Sequence, residues 1–332
     1  MGEKVSEFSR DSMLKVKLSS SDNIDGLLAQ TPGGKGVWGN CEFFVDEDIS
    51  ECDYWIVLNE LSKKETVICP PGNTIFVTGE PVSVKKYSGR FLSQFATVIT
   101  AQDSLHHQHV IKTHQILPWF VNKKYDELND MSFLEKSKNI SIVSSNKRFS
   151  KGHESRYQYA MALKNYFGDN IDLFGRGIRN FGDKWDVLAP YKYSVVIENS
   201  SSNNYITEKL DDCFLSYTFP FYYGCTNLED YYPKDSFAYI DITDLDGSID
   251  VIEKTLADSQ HYALHFEALC EARKRYLQQY QLFPSLVSII SSLQSVEKCP
   301  PKKMTLFPSS VTMSDLSFMV RCLFGMVKNL FG

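Results

Sequence analysis

Residues 193–237 read YSVVIENSSSNNYITEKLDDCFLSYTFPFYYGCTNLEDYYPKDSF, and the fold follows from how this stretch is parsed. YSVVIEN is a β-branched and aromatic run of the kind that fills a strand buried on both faces. A polar run of Ser and Asn follows it and ends at Tyr205. Thr207 then stands at the N-cap position of a helix through Leu215, with Glu208 and Lys209 in its first turn. TFPFYYG is the next strand. The unpaired N–H groups and partial positive charge at a helix start form an anion site, and Lys209 adds a full charge beside it. Tyr205 offers a ring to cover a base or sugar, and Asn199 can both donate and accept hydrogen bonds. Arg156, early in a preceding helix, can clamp phosphate oxygens in bidentate fashion. Such a set suits a sugar nucleotide, although strand–loop–helix units with a capping Thr also occur in α/β proteins that hold no ligand.

Working outward, the second half alternates strands and helices. Ser155 and Gln158 form a capping box for a helix through Tyr166, IDLFG is a strand, and IDVIEKTL and HYALHFEALCEARKRYLQQYQL carry helical spacing. The first half offers Leu14, Val16 and Leu18 in alternation, then CEFFVD, DYWIVLN, TIFVTGE and FATVITA. Near-continuous apolar strands of this kind predict a parallel sheet covered on both faces. Between residues 121 and 152 the composition shifts to Lys, Asn and Ser, which marks the linker. The expected organisation is α/β with two Rossmann-like domains whose parallel sheets face a central cleft. Residues 1–140 form one domain, 141–300 the other, and 301–332 a tail. Ligands of such sheets bind where the strand ends meet.

The 193–237 stretch resembles the donor-binding signature of family 10 glycosyltransferases, the α-1,3/4-fucosyltransferases. The resemblance rests on Ile197-Glu198-Asn199-Ser200, Tyr205-Ile206-Thr207-Glu208-Lys209, Pro220 with Gly224, and Pro233 with Ser236-Phe237. It is similar to the bacterial members in the six-residue step from Asn199 to Tyr205. What it implies is a GT-B fold and transfer of L-fucose from GDP-β-L-fucose to a glycan hydroxyl, with inversion and without a metal cofactor. It also implies donor roles for Arg156, Asn199, Tyr205, Thr207, Glu208 and Lys209. In the first half IFVTGEP resembles the family's strand ending in T-G-E, so Glu80 inherits the role of general base. LPWF, residues 117–120, and VWGN, residues 37–40, resemble acceptor-side segments, which puts Trp119 and Trp38 on the acceptor side. The family's bacterial loop has two adjacent tryptophans where this chain has Val37-Trp38, so the acceptor, N-acetyllactosamine-like or another oligosaccharide, is the least constrained part.

That chemistry explains the division of residues. A leaving diphosphate needs cations and dipoles, and an attacking hydroxyl needs a base on the opposite face. Two readings compete with it: the same fold using another GDP-linked deoxyhexose, and a non-catalytic nucleotide-sugar or glycan binding protein.

Composition narrows the partners. With 41 acidic and 35 basic side chains among 332 residues, the net charge of -6 gives no support to a nucleic-acid partner. The eight cysteines contain no C-x-x-C pair and are expected as reduced thiols, consistent with a cytoplasmic location. Gly33-Gly34-Lys35-Gly36 lacks Walker spacing and reads as a plain loop. Asp46-Glu47-Asp48 and Asp244-Leu245-Asp246 each spell D-x-D, and His106, His107, His109 and His114 cluster, but neither pattern has the partners of a metal site. No apolar run is long enough to span a bilayer. In the tail, Leu316, Met319, Leu323, Met326 and Leu330 share a helical side. Two readings stay open: an amphipathic helix touching the inner face of the membrane, or a last helix packed on a domain. Gly2 and Ser6 fit the short myristoylation pattern, which also arises by chance.

Overall fold

The computed structural model describes residues 13–146, 148, 150–293 and 299–310. The first part lays down β1 (Leu14–Ser20), β2 (Val37–Trp38), β3 (Cys41–Val45), β4 (Tyr54–Leu58), β5 (Glu65–Cys69), β6 (Thr74–Val77), β7 (Thr97–Thr100) and β8 (Val110–Lys112), with the short helix α1 (Gly89–Leu92) before β7. All but β5 join one sheet in the order β2-β3-β1-β4-β6-β7-β8, parallel except for the β2–β3 pair. Every residue of β4, β6 and β7 is buried. Because side chains alternate along a strand, Ile56, Ile75, Val77 and Ile99 pack on one face, and Trp55, Val57, Phe76 and Val98 on the other.

A connector carrying α2 (Tyr125–Asp130) leads to the second sheet, built from β9 (Lys138–Val143), β10 (Asp172–Phe174), β11 (Tyr191–Ser202), β12 (Phe219–Cys225) and β13 (Ala238–Tyr239). Its order is β10-β9-β11-β12-β13, all parallel. The helices are α3 (Lys151–Phe167), α4 (Glu208–Leu215), α5 (Leu245–Ala257), α6 (His261–Arg275) and α7 (Leu282–Leu293). The carboxyl ends of both sheets border the same cleft, as ends of parallel strands do in paired α/β domains.

Local details differ from the expectations. α3 is capped by Ser150, whose hydroxyl accepts from the His153 N–H, so the helix starts before the Ser155 box; Gln158 instead bonds Glu154 at 2.6 Å. The Ser/Asn run stays extended: β11 continues to Ser202, with an irregular register between Ile197 and Ser202. The long last helix stops at Arg275, where Tyr276–Tyr280 widens into a π-turn.

The larger correction concerns the domain limits. The unit expected over 141–300 gives up its end to the first domain. α7 lays Leu282, Phe283, Leu286 and Ile290 on the apolar face formed by Val16, Leu18, Ile56 and Ile75. The Phe283 ring meets Phe43 edge-on at 4.9 Å. β14 (Lys302–Leu306) then pairs antiparallel with β5, from Lys302 opposite Cys69 to Leu306 opposite Glu65. The physical reason is that a parallel sheet needs both faces covered, and this chain covers one of them with a distant segment. The start of the expected tail is therefore a strand, while the Leu316–Leu330 stripe and Gly2 lie outside the described residues.

Phe283→Ala removes a fully buried ring from this junction. A stability loss of about 3–5 kcal/mol is expected, read as a lower urea midpoint with an unchanged slope.

Candidate functional site

Between the facing sheet edges lies a cavity of about 370 Å³. Ser20, Asn59 and Glu80, each at or just past the end of a strand of the first sheet, form one wall. Asn199, Tyr205, Thr207, Glu208 and Lys209 form the other. A second cavity of about 180 Å³ adjoins it, lined by Ser145, Arg156 and Lys184 and sharing Glu208 and Lys209 with the first. The tertiary structure thus brings Glu80 and the Asn199–Lys209 set into one cavity and keeps Arg156 in its smaller neighbour.

The second wall is organised by Glu198, whose side chain is fully buried at the end of the straight part of β11. Its Oε1 accepts the Thr207 N–H at 3.0 Å and the Thr207 hydroxyl at 2.7 Å, and its Oε2 accepts from Lys209 Nζ at 3.1 Å. Thr207 also caps α4, accepting from the Lys209 N–H. One carboxylate therefore sets both the start of the helix and the place of its first cation. Room for it depends on Gly224 in β12, where an added Cβ would stand 2.5 Å from Glu198 Cγ. Gly152 plays the corresponding part in α3: a Cβ there would come within 2.0 Å of the Asn199 carbonyl oxygen.

Charges in this wall are mutually compensated. Burial works against the Lys209 ammonium, but Glu198 and Glu208 more than offset it and raise its pKa. Burial likewise opposes the Glu208 carboxylate, yet Lys209 and Lys184 hold it down at about 2. Arg156 is buried, donating to Asn199 Oδ1 at 2.7 Å and to Ser145 Oγ at 3.2 Å. Its Nε is buried with no hydrogen-bond partner among the described residues, a costly state for a cationic donor unless a ligand oxygen arrives.

Lys184 is a functional candidate that sequence reading misses. It bonds Asp212 at 2.6 Å and shares the smaller cavity with Arg156 and Lys209. The only local signal is Asp183, whose side chain caps the short turn 184–187. Asp212 also accepts the Phe120 N–H at 3.1 Å, and Asp183 accepts that of Asn122 at 3.1 Å, so the same pair of segments grips the interdomain connector.

Glu80 follows β6 and is half-buried in the cavity. Burial raises its pKa above the ordinary carboxylate range; Lys209 pulls it back, while Glu208 and Asp22 push it further up. Its backbone carbonyl accepts from Gln102 Nε2 at 2.6 Å.

Two expected acceptor-side residues lie elsewhere. Trp119 is 3% exposed, donates from Nε1 to the Lys123 carbonyl and packs edge-on against Tyr276. Its neighbours Leu117, Pro118 and Phe120 line the cavity instead. Trp38 sits half-buried against Tyr125, away from the cavity. In both cases the indole's large apolar area is taken up by the core. The acidic and histidine patterns have local explanations. Asp244 caps α5 through the Gly247 N–H, and Asp46 accepts the Ser20 N–H. His114 is buried against the Tyr280 carbonyl, and burial lowers its pKa to about 4. Gly33 in the glycine loop bonds Asp126 of α2.

Residues 133–291 match the model of the glycosyltransferase family 10 (fucosyltransferase) C-terminal domain. A 75-residue stretch is 33% identical to the alpha-(1,3)-fucosyltransferase FucT of Helicobacter pylori, and covers 22% of this chain and 16% of that protein. The chain thus matches about a sixth of the length of this relative. A crystal structure of an α1,3-fucosyltransferase with GDP-fucose superposes with a TM-score of 0.52 at 18% identity, covering 90% of this chain and 95% of that one. A crystal structure of an α1,3-fucosyltransferase with GDP superposes with a TM-score of 0.55 at 17% identity, covering 88% of this chain and 94% of that one. At these identities the likeness is one of fold: the GT-B arrangement of two parallel α/β sheets around a cleft.

Glu198→Ala leaves Lys209, Thr207 and a buried void without their partner. An expected loss of about 3–5 kcal/mol follows the behaviour of broken buried pairs. Glu198→Gln keeps an acceptor for Thr207 and should lose clearly less; equal urea midpoints for the two variants would contradict the pinning role.

Proposed function

We propose, from the match of residues 133–291 to the glycosyltransferase family 10 C-terminal model, that this protein is an α-1,3-fucosyltransferase-type enzyme moving L-fucose from GDP-β-L-fucose to a glycan hydroxyl. One observation carries the reading. Glu80, a carboxylate with a raised pKa on the first sheet, opens into the same cavity as Lys209 and Glu208 of the family-10 segment.

In the proposed reaction the diphosphate takes the smaller cavity. Arg156, Lys184 and Lys209 face the charge that grows on the leaving oxygens, and the positive end of the α4 dipole lies beside them. The unpartnered Arg156 Nε gains an acceptor there. Tyr205, Asn199 and Glu208 orient the nucleotide and the sugar. The acceptor oxygen attacks the anomeric carbon from the Glu80 side as the bond to the diphosphate breaks, and Glu80 takes the hydroxyl proton. A single displacement inverts the anomeric centre from β to α. Positive charge on the diphosphate comes from side chains, so turnover should proceed without added metal. A cytoplasmic location is part of the same proposal.

The test is GDP release and product analysis with GDP-fucose and an N-acetyllactosamine-type acceptor, with a chelator present. A panel of GDP-linked deoxyhexoses decides the donor, and GDP binding without any transfer would favour a binding protein instead. Glu80→Gln should lower kcat by about 10²–10⁴-fold with GDP affinity retained. Unchanged turnover in a folded Glu80→Gln protein would remove Glu80 as the base.

The pH dependence has a defined sign. A base works deprotonated, so kcat should climb as pH rises through the Glu80 pKa. Since burial raises that value, the climb should come above the ordinary carboxylate range and vanish from the residual rate of Glu80→Gln.

A further inference from the structure

We propose that Phe120 and Asp22 form the acceptor-sugar subsite beside Glu80 and make it selective for neutral pyranosides over acidic ones. The inference rests on the transfer reading above and names the substrate class of its acceptor side.

Phe120 is 60% exposed although it lines an interdomain cavity. An aromatic ring left open to water in such a place is a surface that gains by being covered. Its backbone is fixed. Its N–H donates to Asp212, which is fully buried and fixed by Lys184, while the preceding Trp119 is locked in the core. Ile24, Leu117 and Pro118 extend the same apolar wall. A pyranose ring has one face of C–H groups and a rim of hydroxyls, and such a wall fits the face.

The rim needs polar partners, and Asp22 supplies one. Its Oδ2 accepts from Asn59 Nδ2 at 2.9 Å, which leaves most of a carboxylate's roughly four acceptor positions for sugar hydroxyls. Asn59 is itself firmly held. It has a left-handed backbone, φ 59, and its Oδ1 accepts from the Tyr87 hydroxyl at 2.7 Å. Its carbonyl accepts from Lys85 Nζ at 3.0 Å. Gly79, directly before Glu80, gives Asn59 its room: a Cβ at Gly79 would sit 2.9 Å from the Asn59 side chain. Asp22 is therefore oriented by a residue packed against the backbone that carries Glu80. Asp22 and Glu80 both line this cavity, and Lys209, which also lines it, is already paired with Glu198 and Glu208. A uronate or other acidic sugar would bring a further negative charge among them, whereas a neutral sugar brings only hydroxyls and C–H groups.

The experiment compares a neutral disaccharide, N-acetyllactosamine, with its counterpart oxidised at C6 of galactose to a uronate. Initial rates give kcat/KM, and saturation-transfer NMR in the presence of GDP gives binding without turnover. Phe120→Ala should raise the acceptor KM and weaken disaccharide binding by about tenfold or more, roughly 1.4 kcal/mol. GDP affinity should be retained, and Phe120→Trp should restore the acceptor terms. Asp22→Asn keeps an oxygen for Asn59 and removes the charge, so the neutral-over-uronate preference should fall by about tenfold, the loss of one nearby charge. Unchanged acceptor binding in Phe120→Ala, or an unchanged preference in Asp22→Asn, overturns the proposal. If the wild type binds the neutral disaccharide through Phe120 but transfers nothing, the subsite stands and the transfer reading falls.

Discussion

A single buried carboxylate, Glu198, anchors the cation-bearing wall of the site. It sits where β11 loses its regular register, and it takes the Thr207 amide, the Thr207 hydroxyl and the Lys209 ammonium together. A buried charge is tolerated only when paired and hydrogen-bonded, so its position is strongly constrained. The constraint passes outward to the start of α4, the direction of Lys209 and, through the space left by Gly224, the approach of β12. Asn199, the next residue, is fixed from the other side by Arg156 and by the glycine contact at Gly152. The compensated charges of this wall keep its cations in place, while the protein as a whole stays acidic.

The cleft has a second requirement, which is that its two walls stay opposed. The chain crosses between the sheets twice. The first connector is held to the second domain by Asp212 and Asp183, and the return crossing ends with α7 on the first sheet and β14 beside β5. Asp212 also holds Lys184, so the contacts that fix the connector and those that shape the smaller cavity share a residue. The electrostatics of the smaller cavity and the position of Phe120 are in this way mechanically adjacent.

How far the sequence could be read depended on whether a signal was local. The strands of both sheets are visible because a strand buried on both faces leaves an uninterrupted apolar run, as in Tyr54–Leu58 and Val195–Ile197. The cap at Thr207 and the first turn of α4 are visible because capping is a property of neighbouring residues. Lys184 and Asp22 were not legible, since each gains its meaning from a partner 28 or 37 positions away, Asp212 and Asn59 respectively. The tryptophans misled for a related reason. An indole suits both a sugar and a core, and only packing tells which of Trp119 and Phe120 turns outward.

By itself, then, the sequence determined the α/β class, the two parallel sheets, and the strand–cap–helix segment from Tyr193 to Leu215, because periodicity and capping act over a few residues. The tertiary structure alone decided that α7 and β14 belong with the first domain, that Arg156 and Lys184 share a cavity with Lys209, and that Glu80 opens into the adjoining cavity, which Lys209 also lines. Those outcomes depend on which distant surfaces bury one another, and burial against a distant partner leaves no spacing in the chain.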